Sequence, residues 1–300
     1  MITRPRIAVL MASYNGIRWI AEQVDSICNQ VDVDVHLYVS VDLSTDGTYQ
    51  WLDELSRTSA TVSILPYGEV FGGAAKNFYR LIRDVDFGNY DYVALADQDD
   101  IWFQYKLINA VDSLLKNHCS AYSSNVIAFW ENGSEIIIEK SQPQQKYDYL
   151  FEAAGPGCTY VMATADLLKF KDFLVEHWLQ VQSIKLHDWL IYAWYRSQQN
   201  LWFIDPMPSM RYRQHESNQV GANKGFSAMR SRLLLIKSGW YSGEVLKIAS
   251  LVTPSSNGLL LDVFSESGIN KYFAIKNFLT LRRKLTDSIF LAVVIVLGIY

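Results

Sequence analysis

Three carboxylates fall within four positions at Asp97-Gln98-Asp99-Asp100, directly after the apolar run Tyr92-Val93-Ala94-Leu95-Ala96. A short apolar run of this kind reads as a buried strand whose C-terminal end opens onto a polar site. Carboxylates crowded into a low-dielectric corner repel one another unless a cation or dense hydrogen bonding compensates. A hard divalent cation, Mg²⁺ or Mn²⁺, does so while keeping positions open for water and substrate phosphates. Taken alone, the cluster reads rather as a solvated acidic turn, with Asp100 capping a helix that begins near Phe103.

The elements around the cluster decide between these readings. Arg6 to Met11 reads as a first strand ending in Ala12-Ser13-Tyr14-Asn15-Gly16, followed by an amphipathic helix through about Asn29. Val35 to Val41 reads as a second strand that stops at Asp42-Leu43-Ser44-Thr45-Asp46-Gly47-Thr48. Thr61 to Leu65 is a third, and Gly72-Gly73 precedes a helix carrying Lys76, Asn77 and Phe78. With the acidic strand and a helix from about Gln104 to Asn117, strand and helix alternate four times. Such alternation predicts a mostly parallel sheet covered on both faces, and in such sheets ligands sit beyond the C-terminal strand ends. Asn15, Asp42 and Asp99 all fall there, although each alone also serves as a turn or cap.

The second half is less regular. Ala121 to Trp130 and Glu135 to Glu139 read as strands joined by the hairpin turn Glu131-Asn132-Gly133-Ser134. Gly155-Pro156-Gly157-Cys158-Thr159 introduces a strand from Tyr160 to Ala163, its glycines serving either a tight turn or a close ligand approach. Leu186-His187-Asp188-Trp189 opens a helix, where Asp188 is favoured by the helix dipole in any case. Tyr212-Arg213-Gln214-His215 begins a polar loop that either binds phosphate or lies on the surface.

Composition narrows the class. Half of the 300 residues are hydrophobic, enough for a full core. The net charge of −4 hides an asymmetry, because residues 224–300 carry 10 basic side chains against 4 acidic ones and the remainder is acidic. An acidic body disfavours nucleic acid, whereas a basic, apolar tail suits an anionic membrane face. Cys28, Cys119 and Cys158 have no zinc or disulfide spacing and fit a reducing cytoplasm, and no signal-peptide pattern precedes the first strand. The terminal run Ile289 to Tyr300 follows Arg282-Arg283-Lys284 and is short for a bilayer span of about 20 residues. It is expected to lie in the cytoplasmic leaflet, with docking on the protein's own core as the alternative.

In order along the chain, the Ala12 to Gly16 turn, Asp42-Leu43-Ser44-Thr45-Asp46-Gly47-Thr48, Ala75-Lys76-Asn77-Phe78 and Ala96-Asp97-Gln98-Asp99-Asp100-Ile101-Trp102 are followed by Gly157-Cys158-Thr159, His187-Asp188-Trp189 and Tyr212-Arg213-Gln214-His215. This ordered set resembles the family 2 glycosyltransferases of GT-A fold, and more narrowly the bacterial rhamnosyltransferase-like members, over Ile7 to about Gly221. The resemblance implies an α/β GT-A domain over residues 1–223, with a mixed, mostly parallel Rossmann-like sheet, and a helical membrane-associating extension over 224–300. It implies that Ser13, Tyr14, Asn15 and Asp42 contact the nucleotide, Asp42 accepting a hydrogen bond from the base. Asp97 binds ribose or metal-bound water, Asp99 ligates Mg²⁺ or Mn²⁺, and Asp188 matches the catalytic base. Val41 and Leu43 depart from the family's usual acidic and glycine positions, which touches the local backbone and the choice of nucleotide.

The chemistry of the residues agrees. Sugar transfer from a nucleoside diphosphate develops negative charge on two phosphates, which a metal at Asp99 stabilises, while an acceptor hydroxyl loses its proton to a carboxylate such as Asp188. Lys76, Arg211 and Arg213 are candidates to counter diphosphate charge, and His215 is a further candidate metal or phosphate ligand. The expected function is an inverting transfer of a deoxysugar, favoured as rhamnose from dTDP, to a lipid-linked or growing glycan acceptor of a surface polysaccharide, at the inner face of the cell membrane. The alternatives are a nucleotidyltransferase, for which Ala12 to Gly16 lacks a Gly-rich basic triphosphate loop, and a non-catalytic member of a polysaccharide-assembly complex.

Overall fold

The computed structural model describes residues 3–215, 238–253, 263–265 and 268–298. Its centre is strand β1 (Arg6–Ser13), seven of whose eight residues are buried. Successive side chains of a strand point to opposite faces. Accordingly Ala8, Leu10 and Ala12 enter one core cluster, while Ile7, Val9 and Met11 enter another on the opposite side. Parallel β2 (Asp34–Val41) flanks β1 on one edge and parallel β4 (Tyr92–Ala96) on the other. Short β3 (Val62–Ile64) continues beyond β2.

The helices between these strands cover the two faces. Helix α1 (Ile20–Cys28) and α4 (Lys106–Asn117) contribute Ile20, Val24, Leu107 and Val111 to the Ile7 cluster, and α2 (Thr48–Thr58) adds Leu52. Helix α3 (Ala74–Asp84) packs Phe78, Tyr79, Leu81 and Ile82 into the Ala8 cluster. Full burial of each such side chain is worth about 1.5–3 kcal/mol. On that face α3 is joined by α5 (Thr164–Glu176) and α7 (His187–Ser197), which follow β9 (Val161–Ala163). The seven-stranded sheet has the order β10-β6-β9-β4-β1-β2-β3, with β6 (Ala121–Ser124) and β10 (Trp202–Asp205). Only β9 runs antiparallel to its neighbours, β4 and β6. The expected mostly parallel sheet, covered on both faces, is observed.

A second, four-stranded sheet stands at the C-terminal strand ends, in the order β5 (Ile101–Trp102), β11 (Met210–Arg213), β7 (Val126–Phe129), β8 (Glu135–Ile138). Strands β7 and β8 form the expected hairpin. The single strand expected over Ala121 to Trp130 is instead two, in different sheets. Asn125 makes the break, its amide oxygen accepting from the backbone of Lys140 and Ser141 and its Nδ2 donating to the Pro206 carbonyl. The expected capping by Asp100 is also corrected. Helix α4 starts at Lys106 without a side-chain cap, and Asp100 Oδ1 accepts from the Arg213 backbone N–H, because β11 runs beside the acidic turn.

The boundary expected at 223/224, the end of the motif set near Gly221 and the basic stretch from Phe226 to Lys237 lie outside the described residues. Helices α8 (Trp240–Val252), α9 (Lys271–Asn277) and α10 (Leu285–Val296) share the α3/α7 core through Val245, Ile248, Phe273, Leu291 and Ile295. One face of the apolar terminus is therefore docked on the protein's own core, and its other face, with Ile289, Phe290 and Val293, is exposed. Among the described residues no helix is long and apolar enough to cross a membrane.

Candidate active site

Topology brings the polar turns after β1 and β2 together, and their side chains lace them. Asn15, held at φ 45°, donates its backbone N–H to Ser44 Oγ, while its own Oδ1 accepts from Thr45 N–H. Asp46 accepts from the N–H groups of Ile17 and Thr48, and Thr48 Oγ1 accepts from Gly16 N–H. Tyr14 is left half exposed at the rim. Asp42 is buried, and its carboxylate accepts from the N–H groups of Leu43, Phe71 and Gly72 at 2.8–3.0 Å. A carboxylate has about four lone-pair sites, so one acceptor direction is left for a base N–H. Asp42 thus also fixes the loop before α3, on whose first turn Lys76 stands exposed.

The Gln98 side chain, which sequence reasoning passed over, ties the acidic turn to the β1 turn. Its Oε1 accepts from Ser13 Oγ and Tyr14 N–H, and its Nε2 donates to the Tyr14 carbonyl. The contact is so close at Gly16 that an added Cβ would stand 2.1 Å from Gln98 Oε1. Ser13 is therefore engaged in positioning the turn.

Asp99 Oδ2 lies 2.7 Å from His215 Nε2, and the His215 ring stacks on Trp19 at 4.1 Å between centroids. Arg213 donates from Nε to the Asp99 carbonyl and from its guanidinium to Glu22, and lies over the Phe129 ring. These contacts hold the strand end. Arg211 pairs with Glu135 at an exposed edge. Burial, then the Asp99 charge, pushes Asp97 up to about 7. Asp100 is fully buried, its Oδ2 without a hydrogen-bond partner among the described residues, and burial with the neighbouring Asp99 charge raises its pKa strongly.

Two donor sets are available to a cation. Ligand atoms of Asp97, Asp100 and Cys158 lie within 4.8 Å of one another. Burial and the two aspartates keep the Cys158 thiol protonated, which suits it to donate to carboxylates rather than to ligate a hard cation. Asp99 and His215 pair an oxygen with an imidazole donor, a chemistry that suits Mg²⁺ or Mn²⁺ better, and Asp97 lies within electrostatic reach of Asp99. Lys106 completes the interior of the cluster. It is buried, its Nζ donates to the Cys158 carbonyl at 2.7 Å and sits 3.2 Å from the Trp102 ring centroid, and burial lowers its pKa to about 7.

Asp188 lies in the first turn of α7, half-buried, its Oδ1 accepting from Trp189 N–H. Burial raises its pKa to about 6. The turn at Gly157 lies directly against it, since an added Cβ would meet His187 Nε2 at 2.7 Å and Asp188 Cβ at 3.2 Å. Of the two roles open to these glycines, Gly157 shows the tight turn, opening the 3-10 turn Gly157–Thr159, which packs against the His187-Asp188 pair. His187 stacks on Phe78 and is kept neutral by burial, its pKa lowered to about 3. The negative charge of Asp188 adds to the raised pKa of Asp97, so the two carboxylates lie within electrostatic reach of one another. The C-terminal strand ends thus carry the Asp97–Asp100 carboxylates with His215, an exposed ring at Tyr14, and the half-buried carboxylate of Asp188.

Residues 8–173 match the model of glycosyl transferase family 2. The chain is 45% identical over 291 residues to dTDP-rhamnosyl transferase RfbG of Shigella flexneri, covering 97% of this chain and 100% of that protein. It is 25% identical over 160 residues to a putative teichuronic acid biosynthesis glycosyltransferase, TuaG, of Bacillus subtilis, covering 53% and 62%. Among solved structures, residues 1–349 of S. aureus TarS in complex with UDP-GlcNAc superpose with a TM-score of 0.54 at 14% identity, covering 94% of this chain and 83% of that one. That similarity concerns the fold.

Proposed function

The chain belongs to glycosyl transferase family 2 and is a glycosyltransferase, and from that premise we propose that it moves rhamnose, with inversion, from dTDP-rhamnose to a lipid-linked or growing glycan of a surface polysaccharide. What supports the reaction class is the acidic strand end, Asp97 and Asp99, with Asp188 within electrostatic reach of Asp97. The donor rests on the near full-length similarity to a dTDP-rhamnosyl transferase.

In this reading Tyr14, Asn15 and Asp42 form the nucleotide end. The remaining acceptor direction of Asp42 takes a base N–H, and Ser13 and Gln98 hold the turn that carries Tyr14. Asp99 and His215, with Asp97, hold a divalent cation. When bound, that cation supplies positive charge to the departing diphosphate. Lys76 is placed to add to that charge, and Arg213 acts by fixing the Asp99 carbonyl and thus the strand end. Asp188 accepts the proton of the acceptor hydroxyl as that oxygen attacks the anomeric carbon from the face opposite the diphosphate. Its burial makes the carboxylate a stronger base than one in water.

Donor hydrolysis and transfer across nucleotide sugars test the assignment. With Mg²⁺ or Mn²⁺ the expected kcat/KM for dTDP-rhamnose exceeds that for UDP- and GDP-hexoses by roughly tenfold or more, the scale that one or two pocket contacts supply. Faster turnover of another donor overturns the sugar assignment. Preference for a triphosphate overturns the reaction class.

The exposed face of α9 and α10 supports a peripheral position on the inner face of the cell membrane. Tyr272, Ile275, Leu285, Ile289, Phe290 and Val293 are exposed there, with Lys271, Lys276 and Lys284 on the same elements or their caps. An apolar strip edged by lysines fits an anionic bilayer surface. Flotation with phosphatidylglycerol vesicles should recover the full chain, and the pair Ile289→Asp with Phe290→Asp should reduce recovery about tenfold while donor hydrolysis is kept. Equal flotation of the variant refutes this position.

A further inference from the structure

Behind the base, three cations gather on the segment Glu152 to Gly155, which leads into the turn at Gly157. Arg283 Nη2 donates to the carbonyls of Ala153 and Ala154 at 2.7 and 3.3 Å. The Lys140 stem packs on Gly155, where an added Cβ would stand 3.6 Å from Lys140 Cβ and Cγ. The Tyr160 hydroxyl bridges this segment to the base, 3.3 Å from both the Gly155 and the Asp188 carbonyls. Arg282 joins through Glu152, with Nη2 at 3.3 Å from Oε2.

The carboxylates nearby are committed elsewhere or shared. Asp148 accepts from Tyr192 Oη, Arg196 Nη1 and Gln145 N–H, and Glu152 accepts from Arg283 N–H and Arg282. Asp287 lies in the first turn of α10, within electrostatic reach of Lys140 and Arg282. Asp148 is shared between Arg196 and Arg283, Glu152 between Arg282 and Arg283, and Lys140 lies within electrostatic reach of Glu152, Asp287 and Asp188. Among the described residues Arg283 Nε and Nη1 and Arg282 Nε have no hydrogen-bond acceptor, although the Arg283 side chain is 1% exposed and meets Asp148 Oδ2 only at 3.6 Å. The Lys140 ammonium makes neither a hydrogen bond nor an ion pair there. Buried charged donors left without acceptors are costly, and an oxyanion satisfies several at once.

We propose that Lys140, Arg282 and Arg283 form an oxyanion site on the acceptor side of Asp188, built for the phosphate that joins a lipid to the acceptor glycan. The proposal rests on the reading of a lipid-linked acceptor. It adds to that reading the residues that recognise the linkage. Two placements support it. Lys140 acts electrostatically on Asp188 and packs on Gly155, two residues before the glycine that lies against Asp188, which puts the site beside the base. Arg282 and Arg283 run directly into Lys284 and the exposed apolar face of α10, so a chain leaving the phosphate meets the surface assigned to the bilayer. Burial and the two arginines lower the pKa of Lys140, and a bound anion opposes that shift.

Calorimetric titration of the full chain in EDTA, which removes the divalent site from the measurement, uses farnesyl diphosphate, farnesol and inorganic pyrophosphate as probes. Wild-type protein is expected to bind farnesyl diphosphate more tightly than either other probe. Lys140→Gln and Arg282→Gln should each weaken that binding roughly tenfold, the scale of a lost charge-assisted contact, with Lys140→Arg close to wild type. Binding of dTDP with Mg²⁺ should be unchanged in all three, which shows that the variants fold. Unchanged farnesyl diphosphate affinity in both Gln variants overturns the site, and tighter binding of pyrophosphate overturns the lipid assignment. Failure of wild-type protein to bind dTDP strikes the donor reading instead and leaves the farnesyl diphosphate result standing.

Discussion

Asp188→Asn should stop sugar transfer while leaving nucleotide binding intact, with kcat reduced about 10²–10⁴-fold, the range for loss of a positioned general base. The amide keeps the size of the side chain and an oxygen to accept from Trp189 N–H, so α7 keeps its first turn. What it loses is the capacity to take a proton. The pH profile supplies a second check. Burial sets the carboxyl near 6, and only its ionised form accepts a proton. Wild-type kcat/KM should therefore fall below pH 6 and level off above it, and the residual rate of the variant should lack that limb. Near wild-type turnover by Asp188→Asn would remove the carboxylate from the mechanism.

The same substitution carries an opposite effect on stability. The folded pKa of about 6 lies above the roughly 3.9 of an unfolded aspartate, so between these values the folded chain holds a proton that the unfolded chain has released. Stability is lost as pH rises through that window, and at neutral pH the buried charge costs on the order of 1–3 kcal/mol. Asp188→Asn should accordingly melt slightly higher at pH 7 than wild type, with the difference vanishing near pH 4. A base made strong by burial is made so at the expense of the fold.

Much of this architecture was legible because it depends on local pattern. Alternation of strand and helix gave the parallel sheet, and the apolar run before Asp97 gave the strand that delivers the carboxylates. What was not legible depends on partners distant in sequence. Asn125 breaks a continuous apolar run only because residues 140, 141 and 206 come to its amide. Asp100 reads as a helix cap until β11 pairs with β5 and supplies the Arg213 N–H. Gln98 hides between two residues of more evident chemistry, and its partners Ser13 and Tyr14 are distant in sequence. Arg282 and Arg283 read as a basic flank to an apolar terminus, and nothing local reveals that Glu152, 130 residues away, receives them.

Asp99→Ala should remove metal-dependent transfer, lowering kcat by about 10²–10³-fold, the scale found when charge stabilisation at a leaving group is withdrawn. Asp99 Oδ2 lies 2.7 Å from the His215 imidazole, so the variant removes that contact together with the carboxylate. His215→Ala should have a smaller effect, about tenfold, because the carboxylates remain to hold the cation. Titration with Mn²⁺ separates this assignment from the other donor set. If Asp99→Ala abolishes saturable Mn²⁺ binding and Cys158→Ser preserves it, the cation is held by Asp99 and its imidazole neighbour. If the two results are exchanged, it is held by Asp97, Asp100 and Cys158, and the unpartnered Asp100 Oδ2 is then a ligand. Asp100→Asn adds the structural control. Its carboxylate accepts from the Arg213 backbone inside a fully buried corner, so the expected change is in the position of β11 and in melting temperature, with Mn²⁺ affinity preserved when Asp99 is the ligand.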